Sequence, residues 1–510
     1  MNEKKQLSIN ISAQLISFSL NLMINFLLTQ FLVNNIGTET FGFIGLANNF
    51  IQYIEVVTVA FNTMASRFIT IKILQNDING ANEYFSTVLI GNILISIVLI
   101  PITFVFLLNI DKFINISIEL VKEVKILWGF IFVNFIFSLI SSVYAISTFV
   151  KNRLEIVSIN NAIGYIVKAV ILIIMFNIMI PSVTYVGIAT VIATIVSLII
   201  NIKVAKKLLP EIQFKIIDIR FKLARKLLVS GMWSSLSKLS AILSSGIDLL
   251  ISNIMIDSIA MGKISIARTI PLMIISCFTV ITNVFAPQLT IYYAKKEIEN
   301  IKKSLEYSIK GISVFSNVII SIFIILANDF YRLWVPKESS QFLTILSVIV
   351  CIQMIIYLPL QPLNNIFPMV NKLKLPALSV FISGLLTVIF EIVMIKTCDN
   401  YFIKVVMIVL SSAIFEIFRS VLFIPIYSSK CIGIESGYIY KIIFKNSVIF
   451  CILVIIYRCF SRFIVINTWL RIIIVGIIMA VIGLIVNWLL LLTKSERELF
   501  TKNIKSRVRN

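Results

Sequence analysis

The sequence predicts an all-α integral membrane protein of about fourteen spanning helices, arranged as two six-helix lobes in parallel repeat and two further helices. Three observations predict it. Apolar residues make up 59% of the 510 and charged residues only 14%, with a mean hydropathy of +1.01, whereas soluble domains are nearer half apolar and a quarter charged. The apolar runs have the roughly 20-residue length of a helix crossing the hydrocarbon core and are too long for barrel strands. A single strongly basic connection then divides them.

In chain order, helices are expected near residues 10–34, 41–66, 85–108, 126–150, 156–178 and 182–202. A second set follows near 227–254, 263–291, 307–327, 341–366, 375–395 and 403–428, and two more near 442–457 and 472–493. The start, Met1-Asn2-Glu3-Lys4-Lys5, leads into an apolar stretch too long and polar-flecked for a cleaved signal peptide, so the first helix is expected to be kept. Lysine and arginine set the orientation. With the N-terminus inside, 29 of the 45 fall on the inner side and 11 on the outer, which places both termini in the cytoplasm. The net charge of +21 therefore reports topology and contact with anionic headgroups. No basic soluble face is large enough for nucleic acid. The densest cluster, Lys203, Lys206, Lys207, Lys215, Arg220, Lys222, Arg225 and Lys226, reads as a solvated cytoplasmic linker hugging the membrane.

That linker separates residues 1–210 from 211–430, and residues 431–510 carry the two added helices and a basic tail. A shift of 220 residues lays Phe41-Gly42-Phe43-Ile44-Gly45-Leu46-Ala47 on Met261-Gly262-Lys263-Ile264-Ser265-Ile266-Ala267. With a one-residue gap it also lays Gly91 on Gly311. The offset is even in helices, so both lobes enter the membrane in the same direction.

The first helix of each lobe carries a polar stripe. Asn10, Gln14, Ser17, Asn21 and Asn25 recur at three- or four-residue steps and share one helix face. Their counterparts are Ser230, Ser234, Ser237, Ala241 and Ser245, with Lys238 and Asp248 beside them. Polar faces avoid lipid, so the expectation is a water-filled cavity between the lobes. Among charges within spans, Lys310 and Glu391 lie near helix ends, where long side chains can snorkel. Glu416 and Arg419, three apart, suit a structural ion pair. Lys168 and Lys238 lie deeper, and Arg268 sits about a turn and a half from its helix start; these three cations suit an anionic headgroup such as pyrophosphate. Glu55 and Asp248 are candidate ion-coupling residues. Histidine is absent and the six cysteines show no metal-ligand spacing, so neither a metal nor a cofactor is expected.

The plan of six, six and two helices resembles the bacterial polysaccharide flippases of the MOP exporter superfamily. Short segments add to the resemblance. They are Asn34-Asn35-Ile36-Gly37-Thr38-Glu39-Thr40-Phe41-Gly42, Ala65-Ser66-Arg67, Ala286-Pro287-Gln288, and Phe330-Tyr331-Arg332-Leu333-Trp334-Val335-Pro336. The resemblance implies a MATE-like fold in the bacterial cytoplasmic membrane and a cargo of undecaprenyl-pyrophosphate-linked oligosaccharide, the repeat unit of an O-antigen, capsule or exopolysaccharide. It implies that Lys168, Lys238 and Arg268 attract the pyrophosphate, that the Asn, Gln and Ser stripe meets the sugars, and that the last two helices help hold the lipid tail. Glycosyltransferases and a glycan polymerase of the same pathway would be its partners.

Two other classes compete. A drug or small-cation exporter of the same superfamily would place a carboxylate in the first helix, which has none within its span. A membrane glycosyltransferase or polymerase would place catalytic residues in a sizeable outer loop. The longest here, near 109–125, offers Asp111, Glu119 and Glu123 without a recognisable motif.

Overall fold

The computed structural model describes residues 3–491 and Arg497; most of the basic C-terminal tail and the side chain of Ser245 lie outside the described residues. Among the described residues the regular structure is helical throughout. Thirteen helices among the described residues are long and apolar enough to cross a membrane, and a bent pair, taken as one span, brings the number to fourteen. The first six are α1 (Glu3–Ile36), α2 (Thr38–Leu74), α3 (Ile78–Leu108), α4 (Val121–Val150), α5 (Leu154–Ile178) and α6 (Thr184–Leu208). The next six are α7 (Phe221–Ser245), α8 (Ser258–Asn283), α9 (Ile298–Trp334), α10 (Ser340–Leu360), α11 (Lys374–Thr397) and α12 (Tyr401–Phe418). The last are α13 (Gly437–Ser461) and α14 (Trp469–Leu490).

Several helices outrun their expected ends. Both α2 and α9 have 37 residues, about 55 Å at 1.5 Å per residue, against a hydrocarbon core of about 30 Å. The surplus turns carry Lys72 at the end of α2 and Lys302 and Arg332 at the two ends of α9. Helix α7, expected as one piece over 227–254, breaks at Gly246 and resumes as Asp248–Met255 with a bend of 42°. A carbonyl freed at membrane depth needs a donor. The Gly246 carbonyl has two, Asn49 Nδ2 and Tyr53 Oη, each at 2.8 Å.

The chain forms two compact units, Met1–Ser265 and Ile266–Asn510. In the first, α4 and α5 pack along α6, and α1 packs on α5. Trp128, Leu127 and Leu172 are fully buried there. Helix α7 lies along α2, and small residues allow the approach. A Cβ on Gly231 would stand 2.1 Å from the Ala60 carbonyl oxygen, and Ser235 Oγ donates to the Val56 carbonyl.

A second close approach in this unit lies between α2 and the start of α8. A Cβ on Gly42 would meet Gly262 Cα at 2.8 Å, and one on Gly45 would meet Ser265 Oγ at 2.8 Å. These are the residue pairs that the 220-residue shift equates. Small side chains at these positions let α2 and the start of α8 approach closely within this unit.

In the second unit, α9 carries α10, α13 and α14. Asn317, Asn446 and Asn487, all buried, join α9 to α13 and α14: Asn317 Nδ2 donates to Asn446 Oδ1 at 2.7 Å and to Asn487 Oδ1 at 3.3 Å. The outward face of α14 presents Ile473, Ile477, Val481 and Ile485, each more than half exposed, at the four-residue spacing of a lipid-facing stripe. The expected Glu416–Arg419 pair forms and is bidentate, with Arg419 Nε and Nη2 donating to the two carboxylate oxygens.

Candidate functional site

A cavity of about 460 Å³ opens within the first unit, among α1, α4, α5 and α6. Helix α1 contributes Asn21 and Asn25, one turn apart, and Asn25 Nδ2 donates to Asn21 Oδ1 at 2.7 Å. Helix α5 contributes Asn160, Asn161, Tyr165 and Lys168, of which Asn161, Tyr165 and Lys168 recur at the four- and three-residue steps of one helix face. Facing them are Ser138, Ser141 and Ser142 of α4, and Thr194, Ser197 and Asn201 of α6. The wall is braced from behind. Asn160 Nδ2 donates to Asn201 Oδ1 at 2.9 Å, and Asn201 Nδ2 donates to Ser141 Oγ at 2.9 Å. Among the described residues, Lys168 is the one charged residue of the lining, which includes no carboxylate. An ammonium among amides and hydroxyls, with no fixed counter-ion, draws in an anion, and the surrounding groups can both donate to and accept from a sugar.

The other residues singled out in the sequence lie elsewhere. Asn10 is buried in a cluster at the basic end, where its Nδ2 donates to the Asn152 carbonyl at 3.2 Å and its Oδ1 accepts from the Glu155 backbone N–H at 3.1 Å. Gln6 Nε2 donates to Glu155 at 2.8 Å, so this cluster ties the start of α1 to the α4–α5 turn. Gln14 is exposed and Ser17 buried. On α7, Ser237 is exposed and Ser234 half-buried. Lys238 Nζ lies 2.7 Å from Glu55 Oε2, so one expected cargo cation and one expected coupling carboxylate form an ion pair between α7 and α2. Asp248 is fully buried at the head of the second piece of α7. Arg268, in the second unit, donates through Nη2 to Ser412 Oγ of α12 at 3.2 Å. Of the three expected cations, only Lys168 lines the cavity. Among the described residues no group of His, Cys, Asp and Glu is placed to hold a metal ion.

Sequence reasoning found Lys168, Asn21 and Asn25 and missed the wall opposite. Its signal was present in the spacing of Ser138, Ser141 and Ser142 on α4, and of Thr190, Thr194, Ser197 and Asn201 on α6. Hydroxyls alone are also what helix packing uses in membranes.

No family model matches the chain. An uncharacterized membrane protein, EpsK of Bacillus subtilis (strain 168), is 25% identical over 500 residues, covering 98% of each chain. Among solved structures, an inward-facing multidrug resistance MATE transporter of the MOP superfamily aligns with a TM-score of 0.67 at 15% identity, over 83% of this chain and 98% of its own. The lipid II flippase MurJ, in an inward closed conformation, also aligns with a TM-score of 0.67, at 16% identity, over 92% of this chain and 96% of its own. The chain has the MATE and MurJ fold. It is a multi-pass membrane protein built on that plan.

Proposed function

We propose that this chain is a flippase carrying an undecaprenyl-pyrophosphate-linked oligosaccharide from the inner to the outer leaflet of a bacterial cytoplasmic membrane by alternating access. Both termini are then cytoplasmic, and residues 1–210, 211–430 and 431–510 act as first lobe, second lobe and added helices. The observation that carries the reading is the cavity of Asn, Ser and Thr side chains around Lys168, with no carboxylate in its lining. Such a lining suits a polar, anionic cargo. It offers a cationic drug no counter-ion and one repelling ammonium. In this reading Lys238 and Arg268 add to the attraction for the pyrophosphate. The extra length points the same way. The MATE structure covers 83% of this chain and the MurJ flippase 92%, which supports a plan nearer in length to the flippase. Glycosyltransferases and a polymerase acting on the same glycan are the expected partners, and no covalent chemistry is required of the chain.

Efflux of drugs is the second reading. On structural likeness alone it has the broader support, since multidrug resistance MATE transporters align in inward-facing and outward-facing forms, and a MATE in complex with MaL6 aligns as well. The two separate in cells. Deleting the gene and restoring it as wild type or as Lys168→Ala, with surface glycan and sensitivity to cationic dyes both measured, gives opposite outcomes. Glycan lost on deletion and not restored by Lys168→Ala supports flipping. Unchanged glycan with raised dye sensitivity replaces it with efflux.

A further inference from the structure

The basic connection between α6 and α7 is fastened down. Along the first turns of α3, Asn82 Oδ1, Ser86 Oγ and Thr87 Oγ1 accept from the backbone N–H groups of Gln213, Lys215 and Arg220 at 2.9, 3.1 and 3.0 Å. The Arg220 guanidinium pairs with Glu83 at 3.1 Å. The connection is therefore a strap held at three points and locked by an ion pair.

Behind the strap lies a second cavity, of about 440 Å³, within the range of about 300–1,000 Å³ that ligand pockets occupy. Its character differs from the first. The wall is mostly apolar, with Ile69, Phe85, Val143, Ile146, Leu209 and Phe214, and Lys206 stands in the lining. Lys203 shares the Lys206 face of α6, and Lys207 and Lys215 adjoin it; all four are exposed, and none has a carboxylate partner among the described residues. Outside the strap, Ile216, Ile217 and Phe221 are 76%, 78% and 80% exposed. Exposed apolar tips beside exposed lysines fit the boundary between headgroups and acyl chains.

We propose that this cavity binds an anionic phospholipid, with an acyl chain entering behind the strap and the phosphate held by Lys203, Lys206 and Lys207. A zwitterionic lipid buries the same chain but brings its own cation toward the lysines, so the site discriminates by charge. The site uses no residue of the Asn/Ser/Lys168 cavity and stands whichever cargo that cavity takes.

The test is native mass spectrometry of the purified full-length chain titrated with phosphatidylglycerol or phosphatidylcholine of matched acyl length. Phosphatidylglycerol is expected to remain bound at lower concentrations. Each of Lys203→Gln, Lys206→Gln and Lys207→Gln should weaken it by about fivefold and leave phosphatidylcholine unchanged. Ala205→Phe, which fills the cavity, should remove both. The lysine variants alter exposed side chains only, so the charge comparison holds even if Ala205→Phe fails to fold. Equal retention of the two lipids, or undiminished phosphatidylglycerol binding after all three lysines are replaced, would overturn the proposal.

Discussion

Lys168 stands half-buried on α5 with amides and hydroxyls on every side of the cavity it faces. A hydrogen bond to a charged group is worth about 1.5–3 kcal/mol, so replacing Lys168 with Ala should weaken cargo binding by roughly tenfold or more. Lys168→Arg keeps the charge and should retain most of the binding. Titrating a soluble pyrophosphate-sugar against the purified variants checks both. The Glu55–Lys238 pair makes a different prediction. Its members are 40% and 26% exposed, and exposed pairs couple by about 0.2–1 kcal/mol. Single Glu55→Gln and Lys238→Gln variants should therefore each lose stability, while the double variant loses less than their sum. A double-mutant cycle on thermal unfolding in detergent measures the difference, and strict additivity would mean that the pair does not couple.

The helices meet where side chains are small or amides are paired. At the α2–α8 crossing, a Cβ on Gly262 would stand 2.3 Å from the Thr38 carbonyl oxygen, and backbone cannot step aside as a flexible side chain can. Gly262→Leu is expected to cost about 1–3 kcal/mol of overpacking, read as a lower unfolding temperature. Gly311→Leu, at a glycine with open space around it, should leave that temperature nearly unchanged. In the second unit, Asn487→Leu removes one member of the buried amide trio and should cost about 0.6–1.7 kcal/mol. Asn177→Leu, at an exposed amide bonded only within its own helix turn, is the matched control. The crossing glycines Gly42 and Gly262 stood out in the sequence because a 220-residue shift aligns them. The break in α7 did not, since Gly246 is one glycine in an apolar run and its need for Asn49 and Tyr53 arises only once α2 lies alongside. The basic connection read as a solvated linker for the same reason: Asn82, Ser86 and Thr87 look like ordinary helix residues until the strap crosses them.

At the scale of the whole molecule, lipid as solvent made the architecture legible. Apolar runs of spanning length leave the chain few ways to satisfy its backbone, and the helices occur in the expected order with ends displaced by a few turns at most. The cavity was less legible, because its wall draws on single faces of four separate helices. Lys168, Asn21 and Asn25 stood out by depth and by stripe, whereas Asn160, Thr194 and Asn201 become a site only when α4, α5 and α6 are packed. Net charge told which end is basic and nothing about cargo; one lysine with no carboxylate in its cavity carries that argument.

The most direct measurement is transbilayer movement in proteoliposomes holding the purified chain, with a fluorescent undecaprenyl-pyrophosphate oligosaccharide confined at first to one leaflet. The flippase reading predicts protein-dependent movement of the label to the other leaflet, lost in Lys168→Ala, with no transport of ethidium by the same vesicles. Ethidium transport without movement of the glycolipid, or glycolipid movement indifferent to Lys168, would contradict it.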